Sequence, residues 1–225
     1  DTREFSEFEE ILKCDVITLH TPLNLSGIDK TFYLLNQKNL DKLKDGTILI
    51  NSSRGAVINN LDLLNVIDSK NLKVVLDVWE NEPSVNVELL NKVVIGTPHI
   101  AGYSLEGKVY GTQMVYNSLC KFFNAQITFP FENDPPINSN KRFDTNNKIE
   151  LSLEKLISSI YSIQEDDKRM REMLNLNREE RIKSFDLQRK NYPIRREFNN
   201  YLVKSNNLSE ETKNILETLR FKLTT

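Results

Sequence analysis

The sequence predicts an α/β protein: part of a doubly wound parallel sheet, followed by a small α+β C-terminal domain. Three observations carry that prediction. Short, nearly continuous Val/Ile/Leu runs alternate with segments of helical periodicity, the pattern of a parallel sheet covered on both faces. Each run ends in a polar turn that contains Gly or Pro. Beyond a stretch rich in Pro and Asn, the chain becomes helical and highly charged.

Residues 5–13 place Phe5, Phe8, Ile11 and Leu12 at helical spacing. Residues 15–20 read as a short buried strand leading into Thr21-Pro22-Leu23. A short helix is expected over 36–43, and Asp45-Gly46 turns the chain into a strand over 47–51. Asn59 or Asn60 caps the next helix, whose first turn gains from the negative charge of Asp62. Its apolar stripe is read as Leu61, Leu64, Val66 and Ile67. A strand over 73–79, a helical piece near 87–90 and a strand over 92–96 continue the alternation. Ser104 is suited to cap a long helix reaching about Phe123, with Leu105, Val109, Thr112, Val115 or Tyr116, Leu119 and Phe122 along one apolar face.

These elements divide the chain into a sheet domain (1–103), a long crossover helix (104–124), a linker (125–148) holding Pro130, Pro135 and Pro136, and a C-terminal domain (149–225). The last domain is expected to have helices over 149–163 and 166–176, an extended stretch over 196–203 and a final helix from near Ser209.

A net charge of -2 over 225 residues gives no electrostatic case for nucleic acid or an anionic membrane as partner. No apolar run approaches the roughly 18–20 residues of a membrane span, and no signal-peptide pattern opens the chain. Cys14 and Cys120 are far apart and match no metal-binding or redox spacing. They read as buried or half-buried thiols of a cytoplasmic protein. The chain opens on Asp1 and enters a helix and strand at once, which reads as a start within a domain.

In an open parallel sheet, ligands bind beyond the carboxyl ends of the strands. The segments 48–59 (ILINSSRGAVIN), 74–83 (VVLDVWENEP) and 95–108 (IGTPHIAGYSLEGK) place Arg54, Glu82 and His99 after successive strands, so the three are expected to share one cleft. A guanidinium fork grips a carboxylate, an imidazole moves a proton, and a carboxylate on the far ring nitrogen fixes the tautomer. Together these suit oxidation of a 2-hydroxy acid. Taken singly, each has an ordinary reading: a solvated loop Arg, a Glu-Pro turn, a structural His. His20 keeps that structural reading. Asp77, inside an apolar strand, needs a partner, either backbone amides or a cofactor amide. Residues 102–108 (GYSLEGK) fit G-x-x-x-x-G-K, but Val109 follows where a triphosphate loop needs Ser or Thr. None of the seven glycines forms a G-x-G-x-x-G.

HTPL, INSSRG, LDVWENEP and PHIAGYSLEG resemble the cofactor and catalytic segments of the D-2-hydroxyacid dehydrogenases. That resemblance implies a Rossmann-like fold, NAD as cofactor and no metal. It makes Arg54 the substrate-carboxylate anchor, His99 the acid/base and Glu82 its partner. It assigns Thr21, Asp77 and Gly102 to NAD, and Tyr103 to the substrate. HIAGYSLEGK, followed by Gly111-Thr112, and a tail containing FDLQRKNYPIRREF resemble a branch that acts on a small phosphorylated 2-hydroxy acid and forms homodimers through its C-terminal domain. Phosphoglycerate is the rival substrate, and a non-catalytic dimerising fragment is the rival of another class. The family's glycine-rich loop has no counterpart here, so these 225 residues alone are expected to bind NAD weakly.

Overall fold

The expected apolar runs do pair as strands. A computed structural model describes residues 5–129, 142–143, 153–206 and 208–224. In chain order the elements are α1 (Phe8–Ile11), β1 (Val16–Leu19), α2 (Gln37–Leu40), β2 (Ile48–Asn51), α3 (Asn60–Val66), β3 (Lys73–Leu76), α4 (Val87–Lys92), β4 (Ile95–Gly96) and α5 (Leu105–Phe122). There follow β5 (Arg142–Phe143), α6 (Leu153–Ile160), α7 (Ile163–Glu172), α8 (Arg178–Lys190), β6 (Leu202–Lys204), α9 (Glu210–Thr218) and β7 (Lys222–Thr224). Two units result, Asp1–Ala101 with Ser162–Tyr192, and Gly102–Tyr161 with Pro193–Thr225.

The first unit holds a parallel sheet in the order β1-β2-β3-β4. Val16 pairs with Ile48, and Ile48 with Lys73, so the strands end level and their loops emerge on one side. Ile17, Leu19, Leu49, Val74 and Leu76 share a core with Leu40, Leu63, Val66, Leu89 and Leu90, which α2, α3 and α4 contribute. Coverage of both faces was expected. Among the described residues one face alone is fully buried, and Val16 and Ile48 on the other are 52% and 40% exposed. Asn59 is the cap of α3, its side chain accepting from the amides of Leu61 and Asp62. That start turns Leu63 and Val66 inward and leaves Leu61 exposed, which corrects the stripe read from the sequence.

Residues 162–192 belong with the sheet rather than with the rest of the tail, because their apolar side chains complete its core. Met170, Met173 and Phe185 are fully buried there. Asp167 accepts from the Gly96 amide at 2.7 Å, and Arg171 donates to the carbonyls of Leu90 and Val93 at 2.8 Å each. The two Arg171 bonds satisfy carbonyls at the end of α4. α8 was not expected from the sequence. A capping box of Asn177 and Glu180 starts it.

The second unit begins with α5, capped by the Ser104 hydroxyl as expected. Its small core comprises Leu156, Val203, Leu216 and Phe221, beside a parallel sheet in the order β5-β6-β7. Glu106, 2% exposed, pairs with Arg196 and accepts from the Glu197 amide at 2.9 Å. The apolar stripe of α5 is not a core face among the described residues, since Val115, Leu119 and Phe122 are 70%, 54% and 81% exposed. Most of the expected linker lies outside the described residues, and β5 falls within it. Cys120 is buried, but Cys14 is exposed, contrary to its reading as a half-buried thiol.

Candidate active site

Asp77, one residue past β3, is 6% exposed, and a carboxylate so placed must be met by hydrogen bonds. Its Oδ1 accepts from the Thr97 hydroxyl at 2.6 Å and the Ile100 amide at 2.8 Å, and its Oδ2 from the Ala101 amide at 2.9 Å. The Asp77 carbonyl accepts from the His99 amide at 2.7 Å. The loop after β4 is therefore wrapped around this residue. Of the two partners expected for Asp77, backbone amides and a cofactor amide, the protein supplies the first.

His99 sits in that loop with a φ of 56°, a left-handed backbone that residues with a β-carbon avoid. Its Nδ1 lies 2.7 Å from Oε2 of Glu82. The other oxygen, Oε1, accepts from the Trp79 amide at 2.7 Å. An ionised carboxylate only accepts, so Nδ1 is the donor of this pair, and in the neutral ring the lone pair then lies on Nε2. Both side chains are partly exposed, 31% for His99 and 20% for Glu82, so the pair is open to a ligand.

Arg54 leaves the carboxyl end of β2. Buried Asn51 shapes its loop, donating to the Arg54 carbonyl at 3.0 Å and accepting from the Ser53 amide and hydroxyl at 3.0 and 2.9 Å. The guanidinium is exposed and donates to the Ser53 carbonyl at 2.6 Å. Gly55 is required here. A β-carbon on it would overlap the Trp79 carbonyl and the Glu80 amide nitrogen, main-chain atoms that cannot swing aside. The Arg54 loop thus lies directly on the backbone that leads to Glu82.

Of the other expected site residues, Thr21 follows β1, and its Oγ1 is buried without a hydrogen-bond partner among the described residues. Gly102 and Tyr103 open the second unit, where Lys108 Nζ stands 4.1 Å from the centre of the Tyr103 ring. His20 is exposed, and its Nδ1 is 3.4 Å from the Ser52 hydroxyl. Sequence reasoning missed Glu80 and Tyr33, and named Asn60 as a possible helix cap and not for its bonds to Glu80. The Tyr33 hydroxyl donates to Glu80, and the two residues are 47 positions apart. No local pattern announces such a bond.

The chain is similar to known proteins over both of its halves. Residues 1–101 match the family described as D-isomer specific 2-hydroxyacid dehydrogenase, NAD binding domain, and residues 135–219 match a domain of unknown function (DUF3410). The erythronate-4-phosphate dehydrogenase of Cellvibrio japonicus (strain Ueda107) is 40% identical over 225 residues, 97% of this chain and 60% of its own length. The protein of the same name from Proteus mirabilis (strain HI4320) is 40% identical over 227 residues, 100% of this chain and 59% of its own. The chain therefore spans about 60% of the length of these relatives. A solved glyoxylate reductase from Paecilomyes thermophila aligns with 51% of this chain and 34% of its own, at 36% identity and a TM-score of 0.46. Over residues 1–101 the chain is thus similar to the NAD-binding domain of the D-isomer specific 2-hydroxyacid dehydrogenases.

Proposed function

We propose that this chain forms part of an erythronate-4-phosphate dehydrogenase. The reaction is NAD-dependent oxidation of 4-phospho-D-erythronate to 3-hydroxy-2-oxo-4-phosphobutanoate, in pyridoxal 5'-phosphate biosynthesis. The observation that carries this reading is the Glu82–His99 pair beyond the carboxyl edge of the sheet, with Nε2 left as a proton acceptor. The two relatives of that name support the choice of substrate.

The residues present fit NAD. Thr21 Oγ1, buried without a hydrogen-bond partner among the described residues, is a hydroxyl that a polar ligand group would satisfy. Asp77 Oδ2 accepts one hydrogen bond from Ala101 and has a second lone pair for a carboxamide. Thr21, Asp77 and Gly102 would hold the cofactor, which when bound supplies the acceptor for the hydride leaving C2. Arg54 holds the substrate carboxylate in two parallel hydrogen bonds, which fixes the direction in which C2 faces. His99 takes the 2-hydroxyl proton on Nε2, and Glu82 stabilises the imidazolium that forms. Tyr103 contacts the phosphorylated end of the substrate. A reducing, cytoplasmic setting suits the two free cysteines.

The test is to assay the chain extended to the length of its relatives. NADH should form with 4-phosphoerythronate far faster than with 3-phosphoglycerate. A preference for 3-phosphoglycerate, or no NADH from either, would reject the reading.

The second unit supplies the surface for a homodimer. Its four-residue core is small, yet Ile215 is 41% exposed beside an apolar hollow of about 600 Å³ lined also by Leu153 and Leu219. Removing residues 149–225 would also strip Met170, Met173 and Phe185 from the first core, so a point change isolates the interface. Ile215→Lys should turn a dimer into a monomer in sedimentation velocity while both cores stay folded. A variant that still sediments as a dimer would place the interface elsewhere.

A further inference from the structure

The carboxylate of Glu80 is engaged at both oxygens, and its partners come from two other loops. Oε1 accepts from the Tyr33 hydroxyl, and Oε2 from the Asn60 amide at 3.0 Å. In return, the Glu80 amide donates to Asn60 Oδ1 at 3.1 Å. Tyr33 in turn donates its own amide to the Ala56 carbonyl at 2.8 Å. One side chain thus ties the loop after β1 and the start of α3 to the loop after β3.

What those loops carry gives the clamp its meaning. Glu80 is two residues from Glu82, and Asn60 and Ala56 bracket the chain that leaves Arg54. Gly55 already lies against the Trp79 and Glu80 main chain with no room for a β-carbon, so movement of either loop is transmitted to the other. Tyr33 and Asn81 hold left-handed φ values of 52° and 61°. Residues with a β-carbon adopt such values when surrounding bonds impose them, and they cluster at functional sites.

We infer that Glu80 is a positioning residue: through Asn60 and Tyr33 it sets where Arg54 stands relative to the Glu82–His99 pair. The inference rests on the reading of those three residues as the reacting groups. Hydrogen bonding to the Glu80 carboxylate also pushes the Tyr33 phenol above its ordinary range, so the contact has its own spectroscopic handle.

The experiment compares wild type with Glu80→Gln and Tyr33→Phe in the 225-residue chain. Gln offers one acceptor oxygen where two donors converge, and it points an amide at one of them. Nitrogen-15 NMR reads the two imidazoles separately, since the chain has two histidines. In Glu80→Gln the His99 Nδ1–H resonance should shift or broaden, while that of His20 stays in place. Absorbance titration should show the Tyr33 ionisation returning toward that of a free phenol. Tyr33→Phe keeps the Asn60 bonds and should shift the His99 signal less. It decides the matter if Glu80→Gln fails to fold. A His99 signal that superimposes on wild type in the folded variants overturns the inference, even where the melting temperature falls, since a plain brace would do that much. In the chain extended to relatives' length, kcat should drop by up to about 10²-fold, as misplacement by an ångström does, with KM for NAD unchanged. If the wild-type protein shows no turnover, the functional reading fails on its own, and the His99 signal still judges Glu80.

Discussion

His99→Ala, in the chain extended to the length of its relatives, should lower kcat by about 10²–10⁴, the usual worth of a positioned general base. That is about 3–5 kcal/mol of transition-state stabilisation. The two carboxylates described beside it are already engaged: Glu82 with His99 and the Trp79 amide, and Asp77 with Thr97, Ile100 and Ala101. Glu82→Gln should cost a similar factor through the tautomer. The Trp79 amide demands an acceptor, so the Gln oxygen turns to it and the Gln amide group faces His99 Nδ1. Nδ1 must then accept, the proton moves to Nε2, and the nitrogen that should take the substrate proton is blocked. A single experiment separates this from loss of charge alone. The Glu82→Gln imidazole should show the Nε2–H tautomer in its nitrogen shifts while the protein stays folded. Turnover within a factor of two of wild type in His99→Ala would remove His99 as the proton acceptor.

The residues of the site are not equally legible in the sequence. Glu82 and His99 could be read because each follows an apolar run at a turn, and parallel strands send such turns to one side. The cap of α3 was readable for the same local reason, as Asn59 or Asn60, and the structure selects Asn59. What bridges loops was not. Glu80 meets Tyr33 and Asn60 only after the sheet has formed, and Gly55 becomes obligatory only when Trp79 lies against it. α8 was missed because one residue of its thirteen, Phe185, is buried, so it has almost no apolar stripe; its Asn177–Glu180 capping box was the signal available. On α5 the apolar stripe itself was legible, but not its surroundings: Leu119 and Phe122 are exposed among the described residues. Periodicity says that a face is apolar, not what covers it.

Asp77 is where fold and site depend on the same atoms, and its removal should be the most damaging single change to stability. In Asp77→Ala, the Thr97 hydroxyl and the amides of Ile100 and Ala101 lose their acceptor together. Each buried donor left unsatisfied costs about 1–3 kcal/mol. Water entering the vacated space would recover part of this, which leaves an expected loss of about 3–5 kcal/mol. That is a large share of the roughly 5–15 kcal/mol that holds a domain folded. Asp77→Asn keeps Oδ1 as an acceptor for Thr97 and Ile100 but presents an amide to the Ala101 N–H. Its cost should be that of one lost acceptor, about 1–3 kcal/mol. Urea unfolding of the three proteins measures both losses as shifts in midpoint at unchanged slope. The order wild type, Asn, Ala is the prediction. An Ala variant within about 0.5 kcal/mol of wild type, the range of ordinary surface changes, would mean that the loop holds itself. His99 would then owe its left-handed backbone to something other than the carboxylate it encircles.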